Sequence, residues 1–221
     1  MTISSAIVRY HDNVITQIDI HALQNNGWLS DSIIGFALNF FEHDLFESYR
    51  HYFEFVGPSV VHLIRMTSEE SDLDSVFNSL KLHTKKIAFF PINNHGKINI
   101  VGGSHWSLLA FIVDRQLLIS FDSMKPINDA ISIDFFNRLK RIFPDAEILL
   151  NGQCPKQQNT YDCGMYVILI CKAICEHVIE CDGRIDCLTS LITMLESNVT
   201  AELVQQGRQQ LFEIIMANSK S

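Results

Sequence analysis

The chain has 221 residues, 47% of them hydrophobic, which is enough for one substantial core and does not demand a second domain. A formal net charge of −8 argues against the clustered Lys and Arg that a nucleic-acid surface needs, and no apolar run reaches bilayer-spanning length. The opening MTISSAIVRYHDN lacks the apolar core and cleavage site of a signal peptide, so a cytoplasmic or nuclear chain with reduced thiols is expected.

Val14 to Ile20 alternates apolar and polar residues like a short strand. A helix is expected to open at Trp28-Leu29-Ser30-Asp31, capped by Ser30 or Asp31, with Ile34, Ala37, Leu38, Phe41 and Leu45 at helical spacing. A second helix fits Asp72 to Leu82, where Leu73, Val76, Phe77 and Leu80 share a face. The middle of the chain is strand-like, with Ile87 to Ile92 and Ile98 to Val101 as two short runs. His105 to Val113 and Leu117 to Phe121 flank Asp114-Arg115-Gln116, which looks like a hairpin turn. An amphipathic helix over Ser132 to Phe143 and a strand over Ala146 to Leu150 follow. Cys163 to Ile179 is apolar nearly all round, which marks a helix sunk in the core, and the tail from Asp186 to Met216 reads as one or two surface helices. No repeat or flexible linker divides residues 1–221, so the expectation is one domain of α+β class.

Five of the six cysteines crowd into Cys163, Cys171, Cys175, Cys181 and Cys187, with His177 nearby. No pair has the CxxC spacing of a zinc knuckle, so metal is not expected, and Cys171 and Cys175 read as core thiols. Cys163 is different. It sits behind Asp162, a candidate helix cap, in the first turn of a predicted helix whose positive end favours a thiolate, the nucleophilic form. Gly164 next to it leaves room for a substrate to approach. A nucleophilic cysteine needs a base and an orienting group. His105 begins one predicted strand and Asp122 ends the next. If the two strands pair across the Asp114–Gln116 turn, the start of one lies beside the end of the other. His105 would then take the thiol proton and Asp122 would orient the imidazole. The Cys163 backbone N–H and the amide of Gln157 or Gln158 are candidate oxyanion donors. Each of these residues also fits a plain structural role: a core thiol, a half-buried histidine, a turn aspartate.

His105-Trp106, the FDS of Phe121 to Ser123, QQNTYDCGMY from Gln157 to Tyr166, and WLSD at Trp28 to Asp31 together resemble the ubiquitin-like-specific cysteine proteases. Within that family they are most similar to the deneddylases, on the linked segments FFPINN and GGSHWSLL. The resemblance spans residues from about 20 to about 180 and keeps the order His, Asp, Cys. It implies a papain-like core of the ubiquitin-like protease type: a mixed central sheet, helices around it, and a buried helix carrying the nucleophile. It implies a single catalytic domain that works as a monomer without a cofactor. The activity implied is cleavage after the Gly-Gly end of a ubiquitin-like modifier, most similar to the Nedd type, releasing a propeptide or a modified lysine. The same chemistry on SUMO or ubiquitin, or a Cys-dependent acetyl transfer through a related triad, are the alternatives. The resemblance selects Gln157 over Gln158 for the oxyanion. It assigns Trp28 and Trp106 to a tunnel over the modifier's tail, Asp31 to a basic residue of that tail, and Asn93 with the loop to Gly103 to a cover over the bound modifier. Phe121 departs from the tyrosine that many members carry there and keeps the ring.

Overall fold

The computed structural model describes residues 6–96, 102–150, 152–184 and 188–220. The chain begins with a hairpin, β1 (Ala6–Tyr10) and β2 (Asn13–Thr16), followed by α1 (Gln17–Gln24) and α2 (Asp31–Phe40). The expected strand over Val14 to Ile20 therefore stops at Thr16. Asp19 explains the stop: its carboxylate accepts the Thr16 N–H at 2.8 Å and the Thr16 hydroxyl at 2.7 Å, which starts a helix at Gln17. Ser30, not Asp31, caps α2, its hydroxyl accepting the Ile33 N–H at 3.3 Å.

A five-stranded sheet follows, in the order β3 (Phe53–Phe55), β4 (Ile87–Asn93), β5 (Trp106–Ile112), β6 (Leu117–Phe121) and β7 (Glu147–Leu149). The outer pairs β3–β4 and β6–β7 are parallel, and the inner pairs are antiparallel. Between β3 and β4 lie α3 (Pro58–Met66) and α4 (Glu70–Ser79), the latter starting two residues and ending three residues earlier than its apolar spacing suggested. The helix expected at 132–143 is α5 (Asp129–Leu139), between β6 and β7. The expected run Ile98–Val101 lies outside the described residues.

Both faces of the sheet are covered, which is why β4 and β5 read as unbroken apolar runs. Phe89, Leu108, Ala110 and Phe121 face α2 and α6 (Cys163–Glu180), whereas Phe90, Leu109, Phe111 and Leu118 join α3, α4 and α5. α6 buries residues all round, from Cys163 and Met165 to Cys175 and Val178, as its composition demanded. The last two helices, α7 (Leu188–Asn198) and α8 (Ala201–Ala217), were expected on the surface. They bury Leu191, Leu195, Val204, Leu211 and Ile215 in the same core as α6. Among the described residues no helix is long and apolar enough to cross a membrane.

Candidate active site

The β5–β6 hairpin sets the geometry. Its register opposes Leu108 to Phe121 and Ile112 to Leu117, and Gln116 takes a positive φ of 48° to close the turn. Continued by one step, that register brings the residue before β5 diagonally against the residue after β6. His105 Nε2 lies 2.5 Å from Asp122 Oδ1, with both side chains buried. Asp122 is held as an anion from three directions: Oδ1 also accepts the Met124 N–H at 2.9 Å, and Oδ2 accepts the Asn128 N–H at 3.0 Å. Burial opposes ionisation, but these donors and the charge of His105 outweigh it and hold the carboxyl below its ordinary range.

His105 is only 2% exposed. Its Nδ1 is buried and makes no hydrogen bond, and Cys163 is the further group that acts on the ring electrostatically. Burial disfavours the imidazolium, yet the bond to Asp122 and the interaction with Cys163 prevail and raise its pKa to about 9. Cys163 is the first residue of α6 and is buried. Cys154 is a thiol pushed up to about 12 by burial and then by the Asp122 charge.

Gln157 is half-buried and tied at both ends of its amide, whereas Gln158 is exposed. Its Oε1 accepts the Ser123 hydroxyl at 2.7 Å, its Nε2 donates to the Asn159 carbonyl at 2.7 Å, and its backbone N–H donates to the Ser123 carbonyl. Ser123 immediately follows Asp122, so one turn fixes both the carboxylate and the amide. Asn128, fully buried, supports that turn: its side-chain N–H groups donate to the Ile92 carbonyl and the Ser107 hydroxyl.

Of the other residues singled out in the sequence, Trp106, Trp28 and Asn93 are tied to segments next to this centre, and Asp31 lines a separate cleft. Trp106 is 4% exposed and donates from Nε1 to the Leu29 carbonyl at 3.0 Å. Trp28 is 55% exposed and donates to the Thr160 carbonyl at 2.7 Å. Residues 28 and 29 thus brace the His105 strand and the loop before Cys163 at once. Asn93 pairs with Trp106 across β4–β5, and its Oδ1 accepts the His95 N–H at 2.8 Å. Gly103 has a φ of 93°, and a Cβ there would collide with the Asn93 side-chain oxygen, so glycine is required. Asp31 is exposed and, with Asp12 and Glu54, lines a cleft of about 490 Å³.

Two expectations need correction. Gly164 does not open the site, because a Cβ there would lie 3.0 Å from the Leu29 Cβ; its small size lets α6 pack against the segment leading to α2. Asp162 occupies the cap position of α6, but its side chain makes no cap bond. Its carboxylate turns instead to Arg208 Nε at 2.7 Å and Asn159 Nδ2 at 2.6 Å. Ser123, Asn128, Asn159 and Arg208 were not picked out from the sequence. Arg208 did leave a signal, since it shares a helical face with Val204, Leu211 and Ile215. Of the clustered cysteines, Cys181 lies 3.9 Å from His177 Nε2, and Cys187 is outside the described residues. Among the described residues no group of three or more His, Cys, Asp or Glu is arranged to hold a metal ion.

A buried Cys, His and carboxylate at the junction of a central sheet and a buried helix define the thiol-protease class. The fold matches the C-terminal Ulp1 protease domain solved in complex with Smt3, the yeast orthologue of SUMO, with a TM-score of 0.68 at 18% identity over 100% of this chain and 91% of that one. The chain is 34% identical over 186 residues to probable sentrin-specific protease 8 of Dictyostelium discoideum, covering 79% of this chain and 76% of that protein. It is 26% identical over 173 residues to NEDD8-specific protease 1 of Arabidopsis thaliana, covering 77% and 75% respectively. Residues 27–182 match the Ulp1 protease family, C-terminal catalytic domain, and the chain belongs to that family of cysteine proteases.

Proposed function

We propose that this protease processes a NEDD8-type modifier after its terminal Gly-Gly and removes it from lysines of conjugated proteins. What supports the reading is the pairing of relatives named for sentrin and NEDD8 with a buried Cys163–His105–Asp122 constellation beside a fixed amide. Residues 1–221 act as one catalytic domain.

In the mechanism, the Cys163 proton already rests on His105 Nδ1 at neutral pH, and the thiolate of that pair attacks the carbonyl carbon of the last glycine. The oxyanion is stabilised by the Cys163 N–H and Gln157 Nε2. The C–N bond breaks as the imidazolium protonates the leaving amine, which leaves a thioester on Cys163. Water then attacks the thioester with His105 as base, releasing the carboxylate and restoring the thiol. Asp122 holds the ring so that Nδ1 faces the sulfur. Trp28 and Trp106 flank the tail, where a glycine presents no Cβ to clash. Asn93 anchors the loop that covers the modifier. Asp31, in its acidic cleft and without an ion-pair partner among the described residues, receives a basic residue of the tail.

The test is a panel of full-length NEDD8, SUMO and ubiquitin, each with an electrophile in place of the C-terminal glycine. The expected result is a covalent adduct on Cys163 with the NEDD8 probe alone. An adduct with SUMO or ubiquitin instead would reassign the modifier, and no adduct at all would overturn the reading. Gln157→Ala should lower kcat by about 10²–10³ with little change in KM, because its amide acts on charge that develops only in the transition state. Steady-state hydrolysis of a NEDD8 coumarin amide measures this.

A further inference from the structure

Arg208 lies on α8, beyond residues 27–182 that match the family domain, yet it is 3% exposed and reaches into the loop before the nucleophile. Its guanidinium uses every arm. Nε donates to Asp162 Oδ1 at 2.7 Å, and one terminal nitrogen donates to the carbonyls of Tyr161 at 2.9 Å and Gly27 at 3.1 Å. The other points at the last carbonyls of α1, Ala22 at 3.4 Å and Leu23 at 3.5 Å. The Tyr161 ring lies 5.4 Å away under the cation. Lysine, with one nitrogen, cannot reproduce this fan.

The consequence concerns Asp162. An aspartate at the cap position ordinarily turns its carboxylate onto the N–H groups of the second and third helical residues. Here those residues are Gly164 and Met165, and such a turn would place a negative charge on the donors nearest Cys163. That charge would oppose a thiolate and occupy the positive end of the helix. The observed carboxylate is instead drawn away and shared between Arg208 and Asn159, while the Asn159 side-chain oxygen accepts the Tyr161 and Asp162 N–H groups.

Among the described residues, other titratable groups lie around this end. His105 and Asp122 form their own pair from β5 and β6. The Asp19 carboxylate on α1 is engaged by Thr16 and Ser30. Cys154 and Tyr166 have pKa values raised first by burial, and Asp31 at the start of α2 is exposed. Arg208 is the buried cation that faces Asp162.

We infer that Arg208 is a positioning residue of the active site: by holding the Asp162 carboxylate away from the amino end of α6, the C-terminal helix keeps that end's N–H groups and positive potential for Cys163. The inference rests on Cys163 being the nucleophile, and its test does not depend on the modifier.

The experiment is alkylation of Cys163 by iodoacetamide as a function of pH, mapped by mass spectrometry. It compares the wild-type chain with Arg208→Met, Asp162→Asn and the double variant, each checked for folding by circular dichroism. Arg208→Met should move the alkylation midpoint up by about one pH unit or more, since an uncompensated carboxylate then bears on the thiolate. Asp162→Asn, which breaks the same ion pair but removes the negative charge, should not raise it. The double variant should return toward the wild-type profile. A folded Arg208→Met protein with the wild-type profile would overturn the inference. So would an upward shift in Asp162→Asn, because the effect would then come from lost geometry and not from freed charge. Should Arg208→Met not fold, the Asp162→Asn and double-variant profiles decide. Wild-type protein in which Cys163 reacts no faster than Cys154 would instead remove the nucleophile assignment, and the inference with it.

Discussion

Replacing Cys163 by alanine should abolish turnover, a loss of at least about 10⁴ in kcat/KM, while modifier binding persists. The chemical part follows from the covalent route: without the sulfur there is no thioester, and a water in its place has neither the nucleophilicity nor the position. The binding part follows from the structure. Cys163 is 2% exposed at the first position of α6, so the substitution deletes one atom of a buried residue and installs a strong helix former. The cost in stability should be roughly 1 kcal/mol, the scale of a single buried group. Hydrolysis of a NEDD8 coumarin amide and calorimetric titration with NEDD8 measure the two halves. Cys171→Ala and Cys175→Ala are the controls. Both thiols are fully buried, and burial together with the neighbouring Cys171 pushes Cys175 well above the ordinary thiol range, so neither is a reserve nucleophile. Turnover by Cys163→Ala at anything near the wild-type rate would remove Cys163 from the mechanism.

The pair His105–Asp122 was legible because a β-hairpin is a local object. Two apolar runs separated by Asp114-Arg115-Gln116 fix which ends meet, and 17 positions of separation collapse to 2.5 Å. Cys163 was legible for a related reason, since the onset of an apolar helix marks its own amino end. The choice of Gln157 over Gln158 rested on the family resemblance, because adjacent glutamines look alike in sequence; what the fold adds is that Ser123 and Asn159 fix the Gln157 amide. Other features had too little local signal. β3 is only three residues, Phe53-Glu54-Phe55, and gains its strand conformation by pairing with β4. Thr16 and Asp19 turned an alternating stretch into a helix start through a bond that periodicity does not encode. Arg208 is the extreme case, joining positions 46 to 186 residues distant. Its place on an apolar helical stripe shows that the charge must be buried, but not against what.

Asp122→Asn should cost about 10²–10⁴ in kcat/KM and change the shape of the pH profile. His105 is raised to about 9, so in the wild-type protein it stays protonated through neutral pH and loses its proton as pH rises through about 9. Protonation of the leaving amine requires that proton, so the alkaline limb of kcat/KM should fall near pH 9. The same sign governs stability. The contribution of the charged His105 is complete below the ordinary imidazole range of about 6.5 and is lost as pH rises through about 9. The Asp122 contribution runs the other way: it is present above the ordinary carboxylate range and lost as pH falls through the lowered value. An asparagine removes the charge and one acceptor. With its oxygen toward His105 and Met124, its amide nitrogen must face the Asn128 N–H, donor against donor; reversed, it faces the imidazole. In either orientation burial is left to act on the ring against a weaker partner, so the alkaline limb should move down toward the ordinary imidazole range. The measurement is kcat/KM for the NEDD8 coumarin amide between pH 5.5 and 10 in both proteins. A variant whose rate falls but whose alkaline limb stays near 9 would show that Asp122 positions the imidazole without setting its charge, and an unchanged rate would remove Asp122 from the constellation.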